Sequence, residues 1–372
     1  MKILHVLESL GAGTLTSCSQ ICNLMIKSGH EVHLIYSPLR EETPLNWEEY
    51  FDRNVIFHRV DMTRGISLIN DFRSFLSLRG KFLSINPDVI HLHCAKAGFL
   101  GRFAILFSNS SAKVFYSPRG YSFLQMDVGR VSSFLYYVLE KIAVILGGTT
   151  VACSYSEFEE SKKVGGSSLL VENAIDSQKI PVKEWAGAKS VVKIGTVGRI
   201  CAQKNPLLFA KLAAQFSDRA DVAFFWIGGG DKVLESKLRS SGVDVLGWLD
   251  REKALSHLSD LDIYLQTSLW EGMPLSVIEA SLSGVPAVVT DVIGNRDVVE
   301  HGVTGFVGNG FSQLSQHLLG LVDSYELRMS MGKKSRSLGL DRFGMNRLLK
   351  DINSLYFSNE FPSVMSPLKL PD

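Results

Sequence analysis

The sequence predicts an α/β protein made of two doubly wound, parallel-sheet domains. Three observations carry that expectation. Short runs rich in β-branched and aromatic residues alternate with helical stretches along nearly the whole chain, the rhythm of βαβ units whose strands are covered on both faces. The rhythm breaks once, around residues 176–189, where polar residues surround Pro181 and Gly187, and then starts afresh. The chain has 372 residues, enough for two domains of ordinary size that each bury a core. Joined by such a linker, the two sheets are expected to turn the C-terminal ends of their strands toward a cleft, where sheets of this kind bind ligands.

In the first half, strands are expected at residues 3–7, 31–36, 55–60, 88–92, 113–117, 150–153 and 169–171. A helix over 16–28 follows the first strand, and Pro87 stops the helix before the fourth, since proline cannot continue it. The second half repeats the pattern, with strands at 191–197, 222–227, 243–246, 263–267, 287–290 and 305–307. Its helices begin near Asn205, Asp231, Arg251, Pro274 and Arg296, and the chain reads as helical from Ser312 to Tyr356. The segment 358–372, broken by Pro362, Pro367 and Pro371, is expected to be loose.

Composition excludes several function classes. Hydrophobic residues make up 45% and charged residues 21% of the chain, as in globular proteins, and the net charge is +1. So small a charge argues against a nucleic-acid binder. Residues 59–141, however, hold eleven Lys and Arg against five Asp and Glu. That local excess fits an anionic membrane surface or a phosphorylated acceptor, and fits a solvated face of mixed helices equally well. Five cysteines are scattered without a Cys-x-x-Cys pair, which excludes a disulfide framework and fits a reducing compartment. The N-terminal MKILHVLESLGAG is broken by Glu8 and reads as a first strand, not a signal peptide. The apolar stretch 131–152 contains Glu140, Lys141 and a Gly147–Gly148 pair, so it does not read as a spanning helix. A cytoplasmic protein, resting at most on the inner face of the cell membrane, is the expectation.

The chemistry centres on residues 270–280, WEGMPLSVIEA. Pro274 suits the first turn of a helix that ends at Gly284. Leu275, Ile278 and Leu282 form one stripe, with Glu279 at its edge. The opposite side is uncharged, so Glu279 is expected to be a buried carboxylate that needs a hydrogen-bonding partner; a glutamate reaching a solvated rim is the plainer alternative. Glu271 stands in the loop before the helix. Between the two carboxylates, the N–H groups of Leu275 and Ser276 are unpaired and aimed out of the helix end. Anion-binding amides flanked by two acceptors for hydroxyl groups match a nucleotide diphosphate sugar.

Other strand-end loops add to this. Gly11-Ala12-Gly13 is a glycine turn leading into a helix, but Thr16 takes the place of a third glycine and the second strand ends without an acidic residue; both count against a dinucleotide fingerprint. Arg199 and Lys204 stand five residues apart after a strand and suit a diphosphate, one as a fork and one as a point charge. Of His91 and His93, alternation sends both to one face. His93 is expected at the exposed tip, where it can touch substrate, and His91 one step inside as a structural histidine. Asp260-Leu261-Asp262 has metal-ligand spacing but opens a strand instead of closing one. It is read as turn chemistry, and no catalytic metal or cofactor is expected.

With these residues in view, the chain resembles the retaining glycosyltransferases of family 4, which have the GT-B architecture of two Rossmann-like domains facing a cleft. Glu271 and Glu279 match the family's Glu-x7-Glu signature, and Gly198-Arg199 with Lys204 match its diphosphate clamp. Val171-Glu172-Asn173-Ala174-Ile175-Asp176 resembles the segment that ends the first domain, and Gly294-Asn295 with His301–Phe306 resembles a later glycine-rich stretch. The helix after Phe343 is similar to one that crosses back to the first domain. The implied domains are 1–185 with 343–358 on the acceptor side, 186–342 on the nucleotide-sugar side, and a tail at 359–372. One departure stands out: Ser117-Pro118-Arg119-Gly120 occupies a place where many members have His-Gly, which opens a different acceptor contact for Arg119, a phosphate among them.

Carried over, the resemblance implies that Glu279 holds the nucleotide ribose and Glu271 the donor sugar's hydroxyls. The amides of Leu275 and Ser276, with Arg199 and Lys204, would hold the diphosphate. The base would lie near Leu246-Gly247-Trp248, His93 against the donor sugar, and the Gly11–Gly13 turn near donor phosphate or acceptor. The implied activity is metal-independent, front-face transfer with retention from a UDP-linked sugar to a glycan or lipid-linked acceptor in bacterial surface-polysaccharide synthesis. Two alternatives stay open: a sugar-nucleotide 2-epimerase of the same architecture, and a non-catalytic sugar-nucleotide binder.

Overall fold

The computed structural model describes residues 1–40, 43–63, 65–108, 110–187 and 190–358. The tail expected to be loose, 359–372, lies outside the described residues. The chain divides into two compact units, Met1–Asn173 with residues 348–358, and Ala174–Arg347.

Unit 1 runs β1 (Lys2–Leu7), α1 (Ala12–Lys27), β2 (Glu31–Tyr36), β3 (Ile56–Arg59), α2 (Leu68–Ile85), β4 (Val89–His93), α3 (Ala95–Leu106), β5 (Lys113–Ser117), α4 (Arg130–Ile145), β6 (Thr149–Ala152), α5 (Tyr155–Val164) and β7 (Ser168–Leu170). All seven strands are parallel, in the order β3-β2-β1-β4-β5-β6-β7. Period-two alternation splits β1 and β4 between two cores. Leu4, Val6, Ile90 and Leu92 pack with Leu78, Phe82 and Leu100 of α2 and α3. His5, His91 and His93 point to the other face, where His91 meets Tyr356. Helix α1 starts at Ala12, four residues earlier than expected: the carbonyl of Gly11 already accepts from the N–H groups of Thr14 and Leu15, so the glycine turn is itself the first turn of the helix.

Unit 2 runs β8 (Val192–Val197), α6 (Pro206–Ala214), β9 (Val222–Ile227), α7 (Lys232–Ser240), β10 (Val243–Gly247), α8 (Arg251–Asp260), β11 (Ile263–Gln266), α9 (Leu275–Ser283), β12 (Ala287–Thr290), α10 (Asn295–Val298), β13 (Gly305–Gly308), α11 (Gly310–Asp323) and α12 (Tyr325–Phe343). Its six strands are parallel in the order β10-β9-β8-β11-β12-β13. Ile194, Phe209, Trp226, Leu265, Val288, Leu314 and Leu318 share its core. Local chemistry sets the helix starts: Asn205 caps α6 ahead of Pro206, Asp231 caps α7 and Asp250 caps α8.

A last helix, α13 (Met345–Phe357), carries the chain back into unit 1. Its Tyr356 is fully buried and hydrogen-bonds His91 at 2.7 Å, while Lys113 Nζ donates to the Tyr356 carbonyl. The division after Asn173 falls earlier than the 185/186 boundary read from the sequence. Residues 174–187 are tied to unit 2: Ile175 N–H donates to Phe343 O, Lys183 pairs with Asp262 at 3.0 Å, and Trp185 packs edge-on to Tyr325.

Candidate active site

In each unit the strand order reverses at one place, between β1 and β4 and between β8 and β11. The loops leaving those strands diverge there and leave room for a ligand. In unit 2 these are the loop after β8, with Arg199 and Lys204, and the loop after β11, with Glu271. Lys204 Nζ lies 2.7 Å from Glu271 Oε1. The same oxygen accepts from Ser268 Oγ at 2.8 Å and Gln266 Nε2 at 3.2 Å, whereas Oε2 has Gln203 Nε2 at 3.5 Å. One carboxylate oxygen is thus saturated and the other lightly used. Burial drives the Lys204 ammonium downward, but the charge and hydrogen bond of Glu271 outweigh it and hold the group above its ordinary value. Two glycines permit this arrangement. A Cβ on Gly198 would stand 3.2 Å from Lys204 Cε, and one on Gly294, at φ +84°, would stand 2.5 Å from the Gly272 carbonyl oxygen.

Helix α9 is buried along nearly its whole length, Glu279 included. Pro274 is its N-cap, extended at ψ 119°, so Leu275 and Ser276 are the first helical residues, and no side chain caps their end of the helix. The helix stops at left-handed Gly284. The partner that a buried Glu279 needs is Arg251, the first residue of α8, whose Nη2 lies 2.7 Å from Oε1. Burial pushes the Glu279 carboxyl up and Arg251 pulls it part of the way back. Leu246 sits half-buried near the end of β10, followed by the exposed indole of Trp248, which lies against Gly229.

Unit 1 corrects one expectation. His93 is fully buried and not at an exposed tip. It closes β4 in register with Leu7 and Ser117, the last residues of the flanking strands. Its Nε2 lies 3.0 Å from His5 Nδ1, and its Nδ1 has no partner among the described residues. Burial, the largest cause, holds His93 down to about 4, so the ring is neutral at pH 7. His91 is structural as expected, with Nδ1 on Tyr356 and Nε2 at 2.9 Å from Ser117 Oγ. Gly11 and Gly13 open α1, and near them buried Glu8 pairs with Arg40 at 2.8 Å.

Among the described residues, two buried groups bring metal-binding atoms within 4.8 Å of one another, His5, His91 and His93, and His5, Cys18 and Cys22. The first is occupied by the hydrogen bonds of His91. In the second, Cys18 Sγ and Cys22 Sγ are 4.0 Å apart in the core. Asp260 and Asp262 serve the strand ends, as their place in the sequence predicts: Asp260 pairs with Lys193, and Asp262 pairs with Lys183 and accepts from Lys193 N–H. Sequence reading misses Gln203, Gln266, Ser268, Arg251 and His5. None carries a local signal for its contact, which comes from another element or, for Gln266 and Ser268, from the way the β11 loop folds back.

The glycosyl transferase 4-like domain family matches residues 12–160, and the glycosyl transferases group 1 family matches residues 191–324. The chain is 28% identical over 384 residues, 96% of each chain, to the UDP-Gal:alpha-D-GlcNAc-diphosphoundecaprenol alpha-1,3-galactosyltransferase of Escherichia coli. It is 25% identical to the capsular polysaccharide biosynthesis glycosyltransferase CapM of Staphylococcus aureus, over 89% of this chain and 90% of that one. Sucrose-phosphate synthase from Thermosynechococcus elongatus shares the fold, with a TM-score of 0.80 at 14% identity over 96% of this chain and 98% of that one.

Proposed function

The chain belongs to the glycosyltransferases that join a glycosyl transferase 4-like domain to a group 1 domain in the GT-B architecture, and from that premise we propose that it moves a sugar from a UDP-sugar, with retention and without a metal ion, to a sugar carried on a lipid diphosphate in surface-polysaccharide synthesis. The observation that carries this reading is the pairing of Glu271 with Lys204 in the loops of the β8/β11 switch, beside the uncapped end of α9. The lightly used Oε2 of Glu271 accepts hydroxyls of the donor sugar. Lys204, Arg199 and the amides of Leu275 and Ser276 meet the charge that grows on the diphosphate as the anomeric bond breaks. Glu279 takes the ribose and the Leu246 region the base. On unit 1, the Gly11–Gly13 turn serves substrate contact; His93, fully buried against His5, does not.

Retention fits a carboxylate already holding four donors, which is poorly disposed to attack carbon. The diphosphate leaves with the bonding pair. The acceptor hydroxyl adds from the same face and its proton passes to the departing phosphate oxygen. The nucleotide and the lipid diphosphate are taken from the Escherichia coli relative's name. Metal independence fits the engagement of Asp260 and Asp262 by lysines.

No helix of the described residues is long and apolar enough to cross a membrane. Helices α2 and α4 nonetheless carry exposed apolar residues beside exposed Arg73, Arg79, Arg130 and Lys141. Leu68 is 85% exposed, Val131 84% and Ile145 83%. This supports contact with an anionic bilayer.

The test is transfer from a panel of nucleotide sugars to a synthetic glycosyl lipid diphosphate, with the anomer read by NMR, a chelator arm, and flotation on anionic and neutral vesicles. Retained configuration, survival in chelator and salt-sensitive binding to anionic vesicles are expected. Inversion, strict dependence on a divalent ion, or absence of flotation overturns the corresponding part, and no transfer from any UDP-sugar overturns the whole.

A further inference from the structure

Strand β5 ends at Ser117, and the next turn holds Arg119 at φ +59°. That left-handed backbone is uncommon for a residue with a long side chain, so the surroundings must impose it. They do so from inside the fold. The fully buried Glu157 of α5 accepts the Gly120 N–H at 2.6 Å on one oxygen and the Cys153 N–H at 2.7 Å on the other. On the near side, Ser117 O accepts from Cys94 N–H. The guanidinium is oriented as firmly. Arg119 Nη1 donates to Asn173 Oδ1 at 2.7 Å, and the same oxygen accepts from Ser17 Oγ of α1 at 3.2 Å.

What this scaffold presents is a positive charge without a counter-charge. Arg119 is half-buried, its Nε is buried without a partner, and among the described residues no carboxylate lies within ion-pair distance. Elsewhere in unit 1, Arg40 pairs with Glu8 and Lys96 with Asp71, and the buried Arg102 lies over the Tyr116 ring, enclosed in the core where no ligand reaches it. A partly desolvated arginine with spare donors in a fixed fork is matched by a two-oxygen anion, and phosphate is the commonest such group.

We infer that Arg119 is the anion contact of the acceptor, reading a phosphate of the lipid diphosphate through the donors that Asn173 leaves free. This rests on the reading under Proposed function. Phosphate could also come from the donor, but the cations assigned to the donor diphosphate, Arg199 and Lys204, lie in unit 2. Arg119 instead follows β5 in unit 1, next to β4, at whose end His93 stands.

The experiment compares wild type with Arg119→Gly, which keeps the left-handed turn unstrained, and with Arg119→Lys. Transfer is measured to a glycosyl lipid diphosphate and to the same sugar as a phosphate-free alkyl glycoside, with donor KM determined alongside. Binding of a short-chain alkyl diphosphate is titrated separately with UDP saturating. The expected result is that wild type's preference in kcat/KM for the diphosphate acceptor falls at least tenfold in Arg119→Gly and less in Arg119→Lys, with donor KM unchanged. Alkyl diphosphate binding should weaken at least tenfold in Arg119→Gly. A rise in donor KM with acceptor preference intact assigns Arg119 to the donor and overturns the inference. Equal losses on both acceptors, or an alkyl diphosphate affinity that does not respond to the substitution, overturn it too. If wild type transfers to no acceptor yet the titration still depends on Arg119, the anion site stands and the proposed reaction fails.

Discussion

Glu271→Gln separates two jobs that the ligand-free pair entangles. The Lys204 ammonium and the Glu271 carboxylate are 2.7 Å apart, and at an effective dielectric near 20 their attraction is about 6 kcal/mol before desolvation is charged against it. Both side chains are largely buried, 17% and 9% exposed. The glutamine variant removes the negative charge but keeps the shape, and Ser268 can still donate to its oxygen. A diphosphate then meets Lys204 without a competing carboxylate. UDP affinity should therefore hold or tighten by up to tenfold, while kcat falls at least tenfold because the donor sugar loses a charged acceptor. Lys204→Met does the reverse. It leaves a buried carboxylate beside incoming phosphates, so UDP should bind at least tenfold more weakly. The ligand-free protein should lose about 2–4 kcal/mol, near the lower end for a broken buried pair because Gln266 and Ser268 remain as donors. Calorimetric UDP titration, steady-state kinetics and denaturant unfolding of both variants and the double variant give the full cycle. If Glu271→Gln weakens UDP tenfold, or Lys204→Met leaves UDP affinity untouched, the two residues do not compete at the phosphate and this account of the site is wrong.

Glu279→Gln should raise donor KM about tenfold with kcat within threefold, since a ribose contact is made equally in ground and transition states; steady-state kinetics decide it, and a defect confined to kcat counts against the ribose. Arg251→Ala should lower stability by about 2–3 kcal/mol by stranding the Glu279 carboxylate, read by urea unfolding. In unit 1, Glu140 accepts from Tyr116 at 2.7 Å, and burial raises its carboxyl to about 7 from 4.5. A raised acid keeps its proton in the folded state over a range where the unfolded chain has lost it. Stability therefore falls as pH rises from 4.5 to 7, by about 3 kcal/mol in all. Glu140→Gln should flatten that part of the pH–stability curve and stabilise the protein at pH 8, checked by unfolding across pH.

The elements that sequence reading locates are those with a local cause. β1 and β4 are short, buried on both faces and bounded by loop residues; Asn205, Asp231 and Asp250 announce α6, α7 and α8; Gly284 ends α9. Errors arise where the cause is elsewhere. Helix α1 starts early because a glycine carbonyl can already serve as its first acceptor. Residues 176–189 read as a linker in composition, yet the described part is held to unit 2 through Lys183 to Asp262, and through Trp185 and Gly187 to Tyr325. The candidate site divides the same way. Glu271, Glu279, Arg199 and Lys204 are marked by charge in loops or on an apolar helix. That Lys204 rests on Glu271, or Glu279 on Arg251, depends on contacts spanning 67 and 28 residues, which no local pattern encodes. His93 shows the limit most clearly: alternation assigns its face and the strand end its place, but its burial against His5 depends on the neighbouring strand, which only the sheet brings alongside.

The two units handle charge in opposite ways. In unit 2 the lysine at the strand-order switch is neutralised by the unit's own carboxylate until a ligand arrives, so an arriving diphosphate has to share that lysine with Glu271. The ammonium has three donors and Glu271 uses one of its oxygens for the contact, so sharing needs no rupture of the pair. In unit 1, Arg119 has a neutral amide for a partner and a backbone locked by Glu157, so nothing must be displaced for an anion to bind. An anion at Arg119 should therefore bind with little rearrangement of its surroundings. On the reading proposed above, donor binding redistributes charge around Glu271 and turns its lightly used Oε2 toward the sugar. If the carboxylate that pairs with Lys204 also orients the donor sugar, a single glutamate affects kcat and nucleotide affinity in opposite directions, which is the outcome expected of Glu271→Gln.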